Sequence, residues 1–107
     1  MLRYGRNLTR DAVDQLATHP GGIADRLAAA FNALHPVLAQ HWEAPMAEQV
    51  TRVGKGFEVA LELGDGDIKR GCRRMHHSKR RALAVAVIDL FESFGVAMNE
   101  NPGALTT

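Results

Sequence analysis

The sequence predicts an all-α protein, a single compact bundle of five or six helices. Its apolar runs repeat at about 3.6 residues, the period of an α-helix, and glycine or proline clusters fall between the runs. No two segments offer strands that could pair into a sheet. A chain of 107 residues is long enough for one core and too short for two. We therefore expect one domain over residues 1–107, with a frayed tail at about 99–107.

The first two helices follow from a cap and from an apolar stripe. Thr9 is a suitable N-cap for a short helix with Asp11 in its first turn, and "HPGG" at 19–22 ends that helix. The next helix rests on four apolar residues that recur at i, i+4, i+8 and i+11, which are Ile23, Leu27, Phe31 and Leu34. Pro36 is expected to open a separate short helix, "PVLAQHW", which ends before Pro45.

Residues 45–63 carry an ambiguous pattern, because "FEVALEL" alternates as a strand would. A lone strand lacks a partner, however, and the segment read as a helix gathers its apolar side chains within roughly 100° of arc. These side chains are Met46, Val50, Val53, Phe57, Ala60 and Leu61. Only Val59 and Leu63 fit the helix badly. Gly54 and Gly56 each cost a helix about 1 kcal/mol relative to alanine, so we expect a close helix approach there or a kink.

Residues 68–81 are predicted to form a basic amphipathic helix. The turn "GDGD" at 64–67 provides Gly64 as the end of the preceding helix and Asp67 as an N-cap. On a helical wheel the polar face spans about 160° and consists of Lys69, Arg70, Arg73, Arg74, His76, His77, Arg80 and Arg81. The apolar back consists of Ile68, Cys72, Met75 and Ala82, and Lys79 is the only charged residue on that side.

The helical pattern changes phase near Ser78. The apolar stripe of the last helix, about 79–98, is rotated by roughly 100° from the back of the basic helix. The chain therefore either bends or restarts there. A restart would place Lys79, Arg80 and Arg81 in a first turn, where the helix macrodipole disfavours cations unless they help to form a phosphate pocket. We favour the bend, with the last helix at the centre of the bundle.

Positive charge is concentrated in one block. The formal net charge is +1, but seven of the 13 Lys and Arg residues lie in residues 69–81, which contain no acid. The other six accompany all 12 acids, so the block carries +7 and the rest of the chain −6. A focused block of one sign can attract a polyanion even when the net charge is low.

The function that this block favours is nucleic-acid binding. The predicted contact residues are Lys69, Arg70, Arg73, Arg74, His77, Arg80 and Arg81. Cations spaced along one helix face can follow phosphates, and arginine can also bind guanine edges. No aromatic residue is interleaved with them, so duplex DNA or structured RNA fits better than a single strand. The alternative is a protein-interaction module, a homodimer built on the apolar last helix, whose basic face docks an acidic partner or is only solvated.

Metal binding and catalysis have less support in the sequence. Cys72 and His76 are four residues apart and could share an ion with His35 or His41, but the surrounding arginines would repel a divalent cation. No catalytic motif is present, and Ser78 lies near histidines only by local coincidence. We expect no catalytic residues, no metal and no cofactor.

The remaining expectations concern location. The most apolar segment contains Asp89 and Glu92 and is shorter than a membrane span of roughly 20 residues. No signal peptide is recognisable, and a single cysteine excludes an internal disulfide. The sequence therefore predicts a cytoplasmic protein that does not contact a membrane.

Overall fold

Five α-helices joined by short loops account for the described part of the chain. The structure is a computed structural model, and it describes residues 1–100. The helices are α1 (Leu2–Thr18), α2 (Ile23–Leu38), α3 (Met46–Leu63), α4 (Ile68–Arg74) and α5 (His77–Glu100), and no strand occurs within residues 1–100. The all-α prediction is confirmed, with five helices. Of the predicted frayed tail, residues 99 and 100 belong to α5 and the others lie outside the described residues.

The helices pack around one apolar core. Helix α5 lies against both α1 and α3, α2 packs on α1 and α4, and α4 packs on α3. The largest fully buried side chains are Phe57, Phe94, Leu27, Leu34 and Leu90. The Phe94 ring also meets Trp42 edge-on, with 5.0 Å between the ring centroids. Burial of these side chains is the main favourable term in folding a bundle of this size.

Helix α1 begins at Leu2, so the prediction that Thr9 is its N-cap is wrong. Thr9 is fully buried in the middle of the helix, where its hydroxyl lies 2.9 Å from the carbonyl oxygen of Gly5. A threonine hydroxyl can bond back to the preceding turn as well as cap a following one. Gly5 faces α5, and a Cβ there would lie 2.5 Å from a ring carbon of Phe94. The packing of Gly5 against α5 thus explains why α1 is already helical in the turns that precede Thr9.

Helix α2 continues through Pro36, so the prediction of a separate helix at 36–42 is also wrong. Proline lacks one N–H donor, but Pro36 lies in the last turn of α2, where few further bonds depend on it. Val37, one residue later, is fully buried in the core, which favours continuing the helix. The Trp42 indole N–H donates to the carbonyl of Val37 at 2.8 Å, and the same carbonyl also accepts the backbone N–H of Gln40 at 3.3 Å.

Helix α3 confirms the helical interpretation of residues 45–63. The two residues that fitted its apolar stripe badly, Val59 and Leu63, are 51% and 41% exposed. Gly56 permits the close approach that we expected, because a Cβ there would lie 2.6 Å from Cδ1 of Leu83 on α5. Gly54 has open space around it, so close packing does not explain its presence.

Candidate functional site

The basic block forms a corner made of α4, the break after it and the start of α5. We call residues 69–81 the basic corner. Asp67 caps α4 as predicted, because its Oδ1 accepts the backbone N–H of Arg70 at 3.1 Å. That hydrogen bond is the main reason that the pKa of Asp67 lies below its usual 3.8. The negative cap also suits the positive end of the helix dipole.

Helix α4 is anchored by the predicted apolar back. Cys72 is fully buried, Met75 is buried and Ile68 is partly buried. Gly71 lets the two backbones touch, because a Cβ there would overlap the carbonyl oxygen of Ala60 on α3. Burial raises the pKa of the Cys72 thiol to about 11, although the nearby positive charge of Arg80 opposes the shift. Cys72 is therefore a protonated core residue at neutral pH.

The basic segment is interrupted rather than bent, so our preference for a continuous helix was wrong. Met75 has extended dihedrals, with φ of −68° and ψ of 144°, and α5 restarts at His77. The carbonyl of His76 accepts the N–H of Lys79 at 2.9 Å, and its Nδ1 accepts the N–H of Ser78 at 3.2 Å. These bonds satisfy two of the free N–H donors at the new helix end.

Asp25 on α2 holds two of the seven predicted contact residues. Its Oδ1 lies 3.5 Å from Nζ of Lys69 and 3.2 Å from a guanidinium nitrogen of Arg73. Partial desolvation alone would raise the pKa of Asp25, but the charges and hydrogen bonds of the two cations outweigh it and lower the pKa. Both cations keep more than half of their side-chain surface exposed. Such exposed pairs are weak, so a phosphate can compete with Asp25 for them.

Two further predicted contact residues bond to backbone carbonyls. Arg74 donates to the Leu63 carbonyl at 2.6 Å and lies 3.7 Å from Asp65. Arg80 donates to the Cys72 carbonyl at 3.5 Å, and its Nε is buried with no partner among the described residues. The continuous wheel placed Arg80 on the solvent face, whereas the break turns it partly inward. Arg74 and Arg80 therefore hold the corner together, whatever else they bind.

The remaining basic residues point to solvent. Arg70, Lys79 and Arg81 are exposed, and none of them has an ion pair or a side-chain hydrogen bond within residues 1–100. His77 is exposed and stacks on His76, with 4.3 Å between the ring centroids. The corner thus combines cations held by internal acids or carbonyls with cations that have no ion pair or side-chain hydrogen bond within residues 1–100.

The prediction that Lys79 lies on the apolar side of the basic helix is wrong, because the break at Met75 leaves it exposed at the start of α5. Sequence reasoning also missed two features at this site. One is Asp25, which lies 48 residues from Arg73 and carries no local signal of its role. The other is an apolar groove of about 500 Å³ between α3 and α5, bordered by Lys55 and Lys79. Its floor includes Val59, Leu63, Met75, Ala82 and Leu83. The poor fit of Val59 and Leu63 to the α3 stripe was the available clue to the groove.

Other chemistry is sparse in the described part of the chain. No group of three or more His, Cys, Asp or Glu residues within residues 1–100 could hold a metal ion. Cys72 is buried, and the side chain of His76 hydrogen-bonds to that of Ser78. These two residues therefore do not form the metal-binding pair that their spacing suggested. The expectations of no metal and no catalysis stay predictions.

Helix α5 is the one described helix whose length and composition would let it cross a membrane. Five of its residues, Leu83, Val87, Leu90, Phe94 and Ala97, are buried in the bundle. The core helix of a soluble protein has the same length and apolar character. The expectation of no membrane contact therefore stays a prediction.

No protein-family model, no curated protein and no solved structure matches the chain. The inference of function therefore rests on the geometry of the basic corner and of the helix faces around it.

Proposed function

We propose that this chain binds duplex DNA or structured RNA by contacting backbone phosphates at the basic corner. The observation that carries the proposal is the exposed pair Arg70 and Lys79, neither of which has an ion pair or a side-chain hydrogen bond within residues 1–100. Of the two, only Arg70 acts on an internal acid, because its charge helps to lower the pKa of Asp67. Lys79 also lies in the first turn of α5, where the helix dipole disfavours a cation. Lys79 therefore does not serve the stability of the isolated bundle, and a polyanion is the partner that the exposed cations fit.

The cations that bind Asp25 or backbone carbonyls add positive charge to this surface, but not all of them are free to contact phosphate. Arg73 and Arg74 lie in the last turn of α4, a position that the helix dipole favours. Lys69 and Arg73 can exchange Asp25 for a phosphate, because both ion pairs are solvent-exposed. Contact with about four phosphates would give a log–log salt slope near −3.6 on duplex DNA.

The type of nucleic acid follows from the side chains at the corner. Residues 67–81 contain no Phe, Tyr or Trp on which unpaired bases could stack. Phosphate contacts by Lys and Arg set position and affinity without reading sequence. We therefore expect the protein to discriminate little between duplexes of different sequence. The proposal also includes a cytoplasmic location and no catalytic activity.

The test is a salt titration of binding by fluorescence anisotropy with a labelled duplex. The variant Arg70→Ala/Lys79→Ala removes two cations that make no ion pair or side-chain hydrogen bond within residues 1–100. It is a better probe than a variant at Arg74 or Arg80, which bond to backbone carbonyls. The matched control is Arg3→Ala/Arg10→Ala, which removes two exposed cations from α1.

The expected result is that the corner variant flattens the slope by about 1.8, whereas the α1 variant leaves it unchanged. Equal changes in both variants would show only a general charge effect and would contradict the proposal. A wild-type slope near zero would exclude a phosphate contact and make the protein-interaction alternative the leading function.

A further inference from the structure

The outer face of α5 carries a stripe that is unused by the bundle. Val85 and Ile88 are 48% and 39% exposed, although they lie in the same helix as the most deeply buried core residues. Arg81 precedes them by four residues and Glu92 follows them by four, and both are exposed. The spacing of four, three and four residues places all four side chains on one face, as in the seam of a two-helix coiled coil.

The stripe has opposite charges at its two ends. Arg81 at one end and Glu92 at the other make no ion pair and no side-chain hydrogen bond within residues 1–100. Between them the stripe is apolar. A second stripe that runs antiparallel to the first would place each cation opposite an anion and each apolar residue opposite the other.

We infer that the partner of this stripe is a second copy of the chain, bound antiparallel through α5 about a two-fold axis between positions 86 and 87. Val85 of each protomer then packs on Ile88 of its partner, and Arg81 of each faces Glu92 of its partner. A two-fold axis requires the same patch on both subunits to be self-complementary, and this stripe meets that requirement. A parallel arrangement would instead place like charges opposite each other.

The size of the stripe sets the strength of the dimer. From Arg81 to Glu92 the helix rises about 16 Å, which is less than half the length of α5. A stable interface buries about 800 Å² on each partner, and one short helix face contributes only part of that area. Dissociation in the micromolar range is therefore expected, measurable by sedimentation equilibrium without nucleic acid.

The deciding experiment uses two charge-reversed variants, alone and mixed. Arg81→Glu gives the stripe two negative ends, and Glu92→Arg gives it two positive ends. Each variant alone should dimerise at least about tenfold more weakly than the wild type, because like charges face each other at both ends. An equimolar mixture should restore the dimer, since every 81–92 pair in the mixed dimer is again of opposite sign.

The controls separate this inference from misfolding and from the proposed function. An acid at position 81, near the start of α5, suits the helix dipole, so Arg81→Glu should keep the wild-type helical circular dichroism. Arg10→Glu on α1 makes the same charge change away from α5 and should dimerise as the wild type does. A wild type that is monomeric at high micromolar concentration would overturn the inference. So would a mixture that stays monomeric, or single variants that dimerise normally, whatever the outcome of the nucleic-acid assay.

Discussion

Replacing Asp25 by asparagine should strengthen nucleic-acid binding. The Asp25 carboxylate holds Lys69 at 3.5 Å and Arg73 at 3.2 Å, so both cations must leave it before they can neutralise a phosphate. Asparagine keeps nearly the same shape and removes the competing charge. A variant of an acid that lies outside the predicted contact residues thus tests whether those residues contact phosphate.

The magnitude follows from the number of cations released. Each additional phosphate contact steepens the log–log salt slope on duplex DNA by about 0.9, so freeing Lys69 and Arg73 adds about 0.9 to 1.8. With equal affinities extrapolated to about 1 M salt, this corresponds to about 8-fold to 60-fold tighter binding at about 0.1 M.

The assay is the same anisotropy titration, over a series of salt concentrations at neutral pH. Asp11→Asn is the matched control, because it removes one exposed acid from α1 that has no ion pair. A general effect of net charge would change both variants equally. If Asp25→Asn changes neither the slope nor the affinity at about 0.1 M salt, Lys69 and Arg73 do not contact phosphate and the assignment of the basic corner is refuted at those two residues.

Three further predictions concern the fold. Gly71→Ala should destabilise the protein by about 1 to 3 kcal/mol or more, because its Cβ would overlap a backbone carbonyl of α3, whereas Gly54→Ala should stabilise it by about 0.5 to 1 kcal/mol. Urea unfolding followed by circular dichroism measures both, and changes of the same sign would contradict the packing described. Phe94→Ala should cost about 3 to 5 kcal/mol, since the ring is fully buried. Phe91→Ala should lower the free energy of unfolding by less, because the Phe91 ring is only partly buried. Equal losses of stability in the two variants would contradict the difference in burial. Burial and a pKa near 11 should protect Cys72 from thiol reagents in the native state at neutral pH. If Cys72 of the native protein reacted with the reagent as fast as in denaturant, this prediction would be contradicted. A peptide with a free cysteine gives the reference rate.

Much of the fold followed from local pattern. The 3.6-residue period predicted the helical class and the length of α3, and the two residues that fitted the α3 stripe badly, Val59 and Leu63, are the exposed ones. Asp67 was recognisable as a cap because capping depends on residues only three positions apart. The concentration of +7 in residues 69–81 is a property of the sequence alone, and it located the surface that the proposed function uses.

Other features depend on contacts between distant residues, and only the tertiary structure decided them. The local sequence predicts Thr9 as an N-cap, but with Gly5 packed against Phe94 the helix α1 already begins at Leu2, before Thr9. The break at Met75 turns Arg80 towards the carbonyl of Cys72, which a single continuous wheel could not show. A local pattern records which residues share a helix face, because the helical period is fixed by the backbone. It does not record which faces meet, because that choice depends on how the whole set of helices buries its apolar surface.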